Sequence, residues 1–155
     1  MAQEIERKFL VAGVSWKDGA TGTLIRQCYL SSVKERTVRV RVAGRKAFLT
    51  IKGVSRGVSR TEFEYPIPMH DAAAMLDALC EHPLIEKTRW VVPFKGFRWE
   101  VDEFHGQNAG LVVAEVELPS ADTQPALPPW LREEVSSDPR YFNANLLKNP
   151  YKNWK

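Results

Sequence analysis

The stretch Glu4-Ile5-Glu6-Arg7-Lys8-Phe9-Leu10 carries the pattern from which the architecture follows. On a β-strand successive side chains point to opposite faces, so Glu4, Glu6 and Lys8 share one face while Ile5 and Phe9 occupy the other. A single strand of this kind is ordinarily half-exposed, with its polar side in water. Here the pattern returns along the chain. Arg39 and Arg41 alternate with Val38, Val40 and Val42, and Lys52 follows Leu49 and Ile51. Glu62 and Glu64 alternate with Phe63 and Tyr65, and Lys87 and Arg89 with Thr88 and Trp90. Glu100 and Asp102 alternate with Trp99 and Val101, and Glu115 and Glu117 with Ala114, Val116 and Leu118.

Several of these strands carry charges of one sign on the polar face. Like charges two residues apart stand about 7 Å from each other, a repulsion that ordinary sheet surfaces soften by mixing signs. The opposite faces hold Phe, Trp, Val and Leu, so a core must lie on that side. Paired carboxylates call for a hard divalent cation such as Mg²⁺, and clustered Lys and Arg match phosphate oxygens. Both sets on the inside of one barrel describe a site for a metal-bound oligophosphate.

The remaining features bound this reading. A length of 155 residues predicts one domain spanning 1–155. The net charge of +3, with basic and acidic residues interspersed, gives no footprint for nucleic acid or a membrane surface. Cys28 and Cys80 lie outside any CxxC pair and are expected as two buried thiols, which implies a reducing compartment. Glu4 and Glu6 stand where a signal peptide needs an apolar run, and no membrane-length apolar segment follows, so a cytoplasmic location is expected. His70, His82 and His105 lack metal-ligand spacing and read as surface histidines, and the five tryptophans read as packing anchors.

Strands are predicted over residues 3–10, 24–31, 36–43, 46–53, 60–67, 85–92, 97–104 and 111–118, with a short hairpin turn at 43–46. The segment 53–60, GVSRGVSR, lacks the phosphate-loop pattern and reads as a mobile hairpin loop without a catalytic role. A helix is predicted over 71–80, and Pro128-Pro129-Trp130 suits a short helix start. Ser137-Asp138-Pro139 is a cap and first turn for a helix carrying Tyr141, Phe142, Leu146 and Leu147, stopped at Asn149-Pro150. The expected class is α+β, an eight-stranded antiparallel β-barrel with few helices.

Glu4-Ile5-Glu6-Arg7-Lys8 also fits the ExExK signature of the CYTH domain, the triphosphate tunnel metalloenzyme family. The resemblance continues through Arg39-Val-Arg41, Thr50-Ile-Lys52, Arg60-Thr-Glu-Phe-Glu-Tyr65, Glu86-Lys-Thr-Arg89, Trp99-Glu-Val-Asp-Glu-Phe104 and Ala114-Glu-Val-Glu-Leu118, and so covers nearly the whole chain. It implies a tunnel with the charged faces inward. Lys8, Arg39, Arg41, Lys52, Lys87 and Arg89 resemble the family's triphosphate-binding cations, with Lys8, Lys52 or Arg89 steadying the leaving group. Glu4, Glu6, Asp102, Glu115 and Glu117 resemble its ligands for Mg²⁺ or Mn²⁺. Glu62 and Glu64 are implied as inward residues that orient cations, and Tyr29 and Glu100 as further tunnel residues.

Residues 140–147 resemble the C-terminal helix that plugs one tunnel mouth in short bacterial members. Cys28 departs from the family, which has a smaller residue there. The family includes inorganic, thiamine and RNA 5′-triphosphatases and class IV adenylyl cyclases. The compact form implies cleavage of inorganic tripolyphosphate to pyrophosphate and phosphate. ATP cyclisation, thiamine or nucleoside triphosphate hydrolysis, and a non-enzymatic polyphosphate-binding module are the alternatives. A homodimer is a reasonable assembly for a barrel with a large apolar exterior.

Overall fold

Gly44, at φ +60°, occupies the first position of a two-residue turn that pairs Ala43 with Lys46, a conformation that glycine adopts without strain. The turn joins two antiparallel strands and begins a meander. The computed structural model describes residues 3–154. Its strands are β1 (Gln3–Val11), β2 (Thr21–Ser31), β3 (Thr37–Ala43), β4 (Lys46–Lys52), β5 (Ser59–Pro66), β6 (Ile85–Phe94), β7 (Phe97–Phe104), β8 (Val112–Glu117) and β9 (Leu131–Glu134). Two α-helices, α1 (Met69–Ala78) and α2 (Asn143–Lys148), complete the regular elements together with short 3₁₀ turns.

The strands run in the spatial order β5-β4-β3-β2-β6-β7-β8-β1, and β1 pairs back onto β5 through Gln3↔Thr61 and Ile5↔Ser59. The eight strands therefore close into an antiparallel barrel, as expected. Beyond Ile5 that edge of β1 leaves β5 and takes β9 instead, with Phe9 opposite Glu134 and Val11 opposite Leu131. Pro128-Pro129-Trp130 accordingly leads into a strand, not the predicted helix. Two prolines remove backbone donors, and an unpaired strand edge is the stronger attraction. The predicted C-terminal helix is divided. Pro139–Tyr141 is a 3₁₀ turn capped by the Asp138 carboxylate, Phe142 is extended at φ −70°, ψ 132°, and α2 follows.

Burial follows the period of two. On the outer face Cys28, Val40 and Ala47 pack beneath Ala72 and Leu76 of α1. Farther round, Phe9, Trp99, Val101, Ala114 and Val116 are covered by Trp16, Trp130 and Leu131. Trp90 lies against Gly22, where an added Cβ would meet its ring at 3.1 Å, which explains a glycine inside β2. Cys28 and Cys80 are joined as a disulfide with Cα atoms 5.6 Å apart, where two separate thiols were expected. Cys28 faces outward from β2 toward α1, and the chain leaving that helix brings Cys80 back to it. Free thiols therefore give no argument for a reducing compartment. Among the described residues no helix is long and apolar enough to cross a membrane.

A third apolar cluster lies inside the barrel. The inward row of β6 passes from Arg89 and Lys87 to Ile85, that of β7 from Glu100 and Asp102 to Phe104, and that of β8 from Glu117 and Glu115 to Val113. Ile85, Phe104 and Val113 pack with Tyr141 and Leu146, so the C-terminal segment stops one end of a lumen that is otherwise charged.

Candidate active site

Because β1, β3, β4, β5, β6, β7 and β8 alternate along their charged stretches, their charged side chains meet around one cavity of about 300 Å³. Glu4, Glu6 and Lys8 line it, as do Arg39, Arg41, Lys52, Glu62, Glu64, Lys87, Arg89, Glu100, Glu115, Glu117 and Tyr29. Lys52 shares this face with Thr50, its i−2 neighbour, which lies beside Arg39 across the β3–β4 ladder.

Lys52 Nζ sits 3.0 Å from Glu4 Oε1 and 3.2 Å from Glu62 Oε2. Arg39 Nη2 donates to Thr50 Oγ1 at 3.3 Å and lies 3.6 Å from Glu64, and Thr50 Oγ1 donates to the same carboxylate at 2.8 Å. Arg39 Nε is buried without a hydrogen-bond partner among the described residues. Lys8 Nζ donates to the Tyr141 carbonyl at 3.1 Å and stands over the Phe142 ring.

Asp102 differs from the other carboxylates. On the inward row of β7 it is fully buried beneath Arg89 and Lys87, accepting two 2.8 Å bonds from Arg89, while Lys87 Nζ lies 2.6 Å from its Oδ2. Both of its oxygens are engaged by cations.

The electrostatics follow this placement. Burial alone would raise the Asp102 carboxyl, but Arg89 and Lys87 reverse it and hold the pKa at about 2. Burial pushes the Lys87 ammonium well below the usual lysine range, and burial together with Arg39 and Arg89 pushes the Arg41 guanidinium down. Burial, Glu115 and Glu4 raise Glu6, whereas at Glu115 the burial cost is overcome by Lys8 and Arg89 and the carboxyl is held low.

Among the described residues no three His, Cys, Asp or Glu side chains are gathered at ligand spacing. The donor set still fits Mg²⁺ or Mn²⁺. Mg²⁺ is ordinarily held by one or two carboxylates plus water and substrate phosphate, not by an all-protein cage, and Glu6 of β1 lies beside Glu115 of the neighbouring β8.

The sequence reading passed over several contributors. Arg60 lines the cavity and lies two residues before Glu62, so extending that alternation would have found it. Gln27 lies on the inward face with Tyr29, but a neutral side chain in a strand gives no signal. Ser55, Gly57 and Val58 bring the 53–60 loop to the cavity, and the Val58 carbonyl accepts from the Glu6 amide at 3.1 Å. Asn143 arrives from the C-terminal segment.

Residues 2–151 match the CYTH domain. The chain belongs to the CYTH domain family. This CYTH protein is 53% identical over 155 residues to a protein of Acetivibrio thermocellus named inorganic triphosphatase, with 100% of this chain and 99% of the relative aligned. It is 38% identical over 148 residues to a protein of the same name from Nitrosomonas europaea, covering 92% and 95% of the two chains. A crystal structure of an inorganic triphosphatase superposes with a TM-score of 0.66 at 35% identity, covering 95% of each chain. A candidate adenylate cyclase from Bacillus halodurans, 16% identical with a TM-score of 0.61 over 78% of this chain and 84% of that one, shares the fold alone.

Proposed function

We propose that this CYTH protein hydrolyses inorganic tripolyphosphate to pyrophosphate and phosphate, with Mg²⁺ or Mn²⁺ as cofactor. The observation that carries the reading is the buried, unpartnered Arg39 Nε in a lumen where Arg41, Lys52, Lys87 and Arg89 converge. A buried guanidinium donor without an acceptor is costly unless an anion supplies one. A cavity of about 300 Å³ walled by charge suits a small polyanion and presents little apolar surface for a base. The two relatives of 53% and 38% identity carry the name inorganic triphosphatase, which agrees with this choice of substrate.

In this mechanism Arg39, Arg41, Lys52, Lys87 and Arg89 hold the phosphate chain extended and offset its charge. Glu4, Glu6, Glu115 and Glu117 would hold the metal, which supplies Lewis-acid charge at the phosphate oxygens. Asp102, with both oxygens on Arg89 and Lys87, aims those cations into the lumen. Water attacks the terminal phosphorus, the bridging P–O bond breaks, and the electron pair leaves with pyrophosphate. Lys8, Lys52 or Arg89 steadies the charge that grows on that leaving oxygen in a loose transition state.

The test is phosphate release from tripolyphosphate, ATP and pyrophosphate with Mg²⁺ or Mn²⁺. Metal-dependent release from tripolyphosphate is expected, reduced about 100-fold or more in Glu4→Gln and in Lys8→Ala. Cyclic AMP formed from ATP, or tight triphosphate binding without phosphate release, would overturn the proposal.

A further inference from the structure

At the plugged end of the lumen two cations are held by amides. Arg41 Nε donates to Gln27 Oε1 at 2.8 Å, Gln27 Nε2 donates to Asn143 Oδ1 at 2.9 Å, and Lys87 Nζ donates to the same Oδ1 at 3.0 Å. Gln27 and Lys87 are fully buried. Arginine and lysine are donors only, so each cation must be met by an amide oxygen. That requirement turns Gln27 Oε1 to Arg41, leaves its Nε2 for Asn143, and obliges Asn143 Oδ1 to accept from both neighbours. Reversing either amide sets donor against donor.

We infer that Gln27 and Asn143 are positioning residues for triphosphate binding, a neutral relay that fixes Arg41 and Lys87 without adding a negative charge to the lumen. This rests on the reading of both cations as substrate ligands. A buried cation needs acceptors, and a carboxylate would supply them while neutralising the charge that a phosphate must meet. Arg89 has Asp102, Glu100 and Glu115 around it, and Lys52 has Glu4 and Glu62. Arg41 makes no ion pair among the described residues, its guanidinium being held instead by Gln27. Lys87 divides its ammonium between one carboxylate and Asn143. Because Asn143 opens α2, the relay closes when the C-terminal segment docks. Docking and cation geometry are thereby one event.

The experiment measures kcat and KM for tripolyphosphate with Mg²⁺, tripolyphosphate affinity by calorimetry, and the unfolding midpoint. The variants are Asn143→Asp, Gln27→Glu, Asn143→Ala, Lys87→Ala, Arg41→Ala and the double variant Asn143→Ala/Lys87→Ala. Both isosteric carboxylate variants are expected to lose about tenfold in affinity, mainly through KM, with the wild-type midpoint kept in Asn143→Asp and lowered in Gln27→Glu, whose carboxylate oxygen would face Asn143 Oδ1. Asn143→Ala is expected to weaken binding in the wild-type background and to weaken it less once Lys87 is alanine, the remainder acting through Gln27 and Arg41. Asn143 borders the cavity, so Asn143→Asp carries the test if Gln27→Glu fails to fold. Wild-type affinity in both carboxylate variants overturns the relay, as does an Asn143→Ala effect undiminished in the Lys87→Ala background, which would make its role packing. If Lys87→Ala and Arg41→Ala themselves bind and turn over normally, the substrate-ligand reading falls and takes the relay with it.

Discussion

Asp102 bears on stability as much as on the site. Its carboxylate is fully buried against the Arg89 fork and the Lys87 ammonium. Removing one member of a buried ionic cluster leaves uncompensated charge, which costs far more than the intact pair contributes. Asp102→Asn is therefore expected to lower the unfolding free energy by about 3–5 kcal/mol, measured by denaturant titration. Such a role was not legible beforehand. Alternation placed Asp102 on the same face as Glu100, but how deep along the strand it sits, and which cations reach it, depends on strands distant in sequence. Gln27 and Asn143 were illegible for a related reason, since neutral amides acquire meaning only from the donors that meet them.

At the level of single elements, β9 and α2 join the barrel near its plugged end through contacts that can be separated. Arg7 on β1 forks onto Glu134 of β9 with bonds of 3.0 and 2.7 Å, and this hydrogen bonding holds the Glu134 carboxyl below its ordinary value. A carboxyl lowered on folding adds stability above its unfolded pKa, and that stability is lost as pH falls through the lowered value. The pair is partly exposed, so the contribution is at most about 1 kcal/mol. Acidification below the ordinary glutamate range is expected to loosen β9 first, seen as faster amide exchange at 131–134, and Glu134→Gln is expected to show that exchange without the pH dependence.

Leu146 of α2 is fully buried in the internal apolar cluster. Leu146→Ala is expected to cost about 2–5 kcal/mol and to lower tripolyphosphate turnover as well, because Lys8 and Lys87 bond to the same segment. The strands themselves were legible, since period-two patterning is a local property. β9 was not, because four residues after a proline pair become a strand only beside an edge that β5 has vacated.

Over the whole molecule, opposed charges fill a closed lumen while the apolar faces point outward under α1, Trp16 and Trp130. A ligand that satisfies the cations acts on the barrel as a unit. Tripolyphosphate without a divalent metal, so that it is not turned over, is expected to raise the unfolding temperature with the logarithm of its concentration, by about 2.7 kcal/mol of stability at one hundred times Kd, as read by scanning calorimetry. Arg39→Ala is expected to abolish most of that shift. Ile51, Phe63 and Tyr65 are exposed on the outer face of β4 and β5.

The sequence by itself determined which residues share a strand face, that those faces were charged in same-sign pairs, and hence that cation and polyanion belonged together. Tertiary structure alone decided the disulfide between Cys28 and Cys80, the transfer of β1 from β5 to β9, the place of Asp102 behind its cations, and the arrival of Asn143 beside Lys87. The physical reason is range. Side-chain direction along a strand is fixed by the backbone of that strand, whereas a partner 56 residues away, as Asn143 is from Lys87, is chosen by chain closure and by packing of the whole barrel.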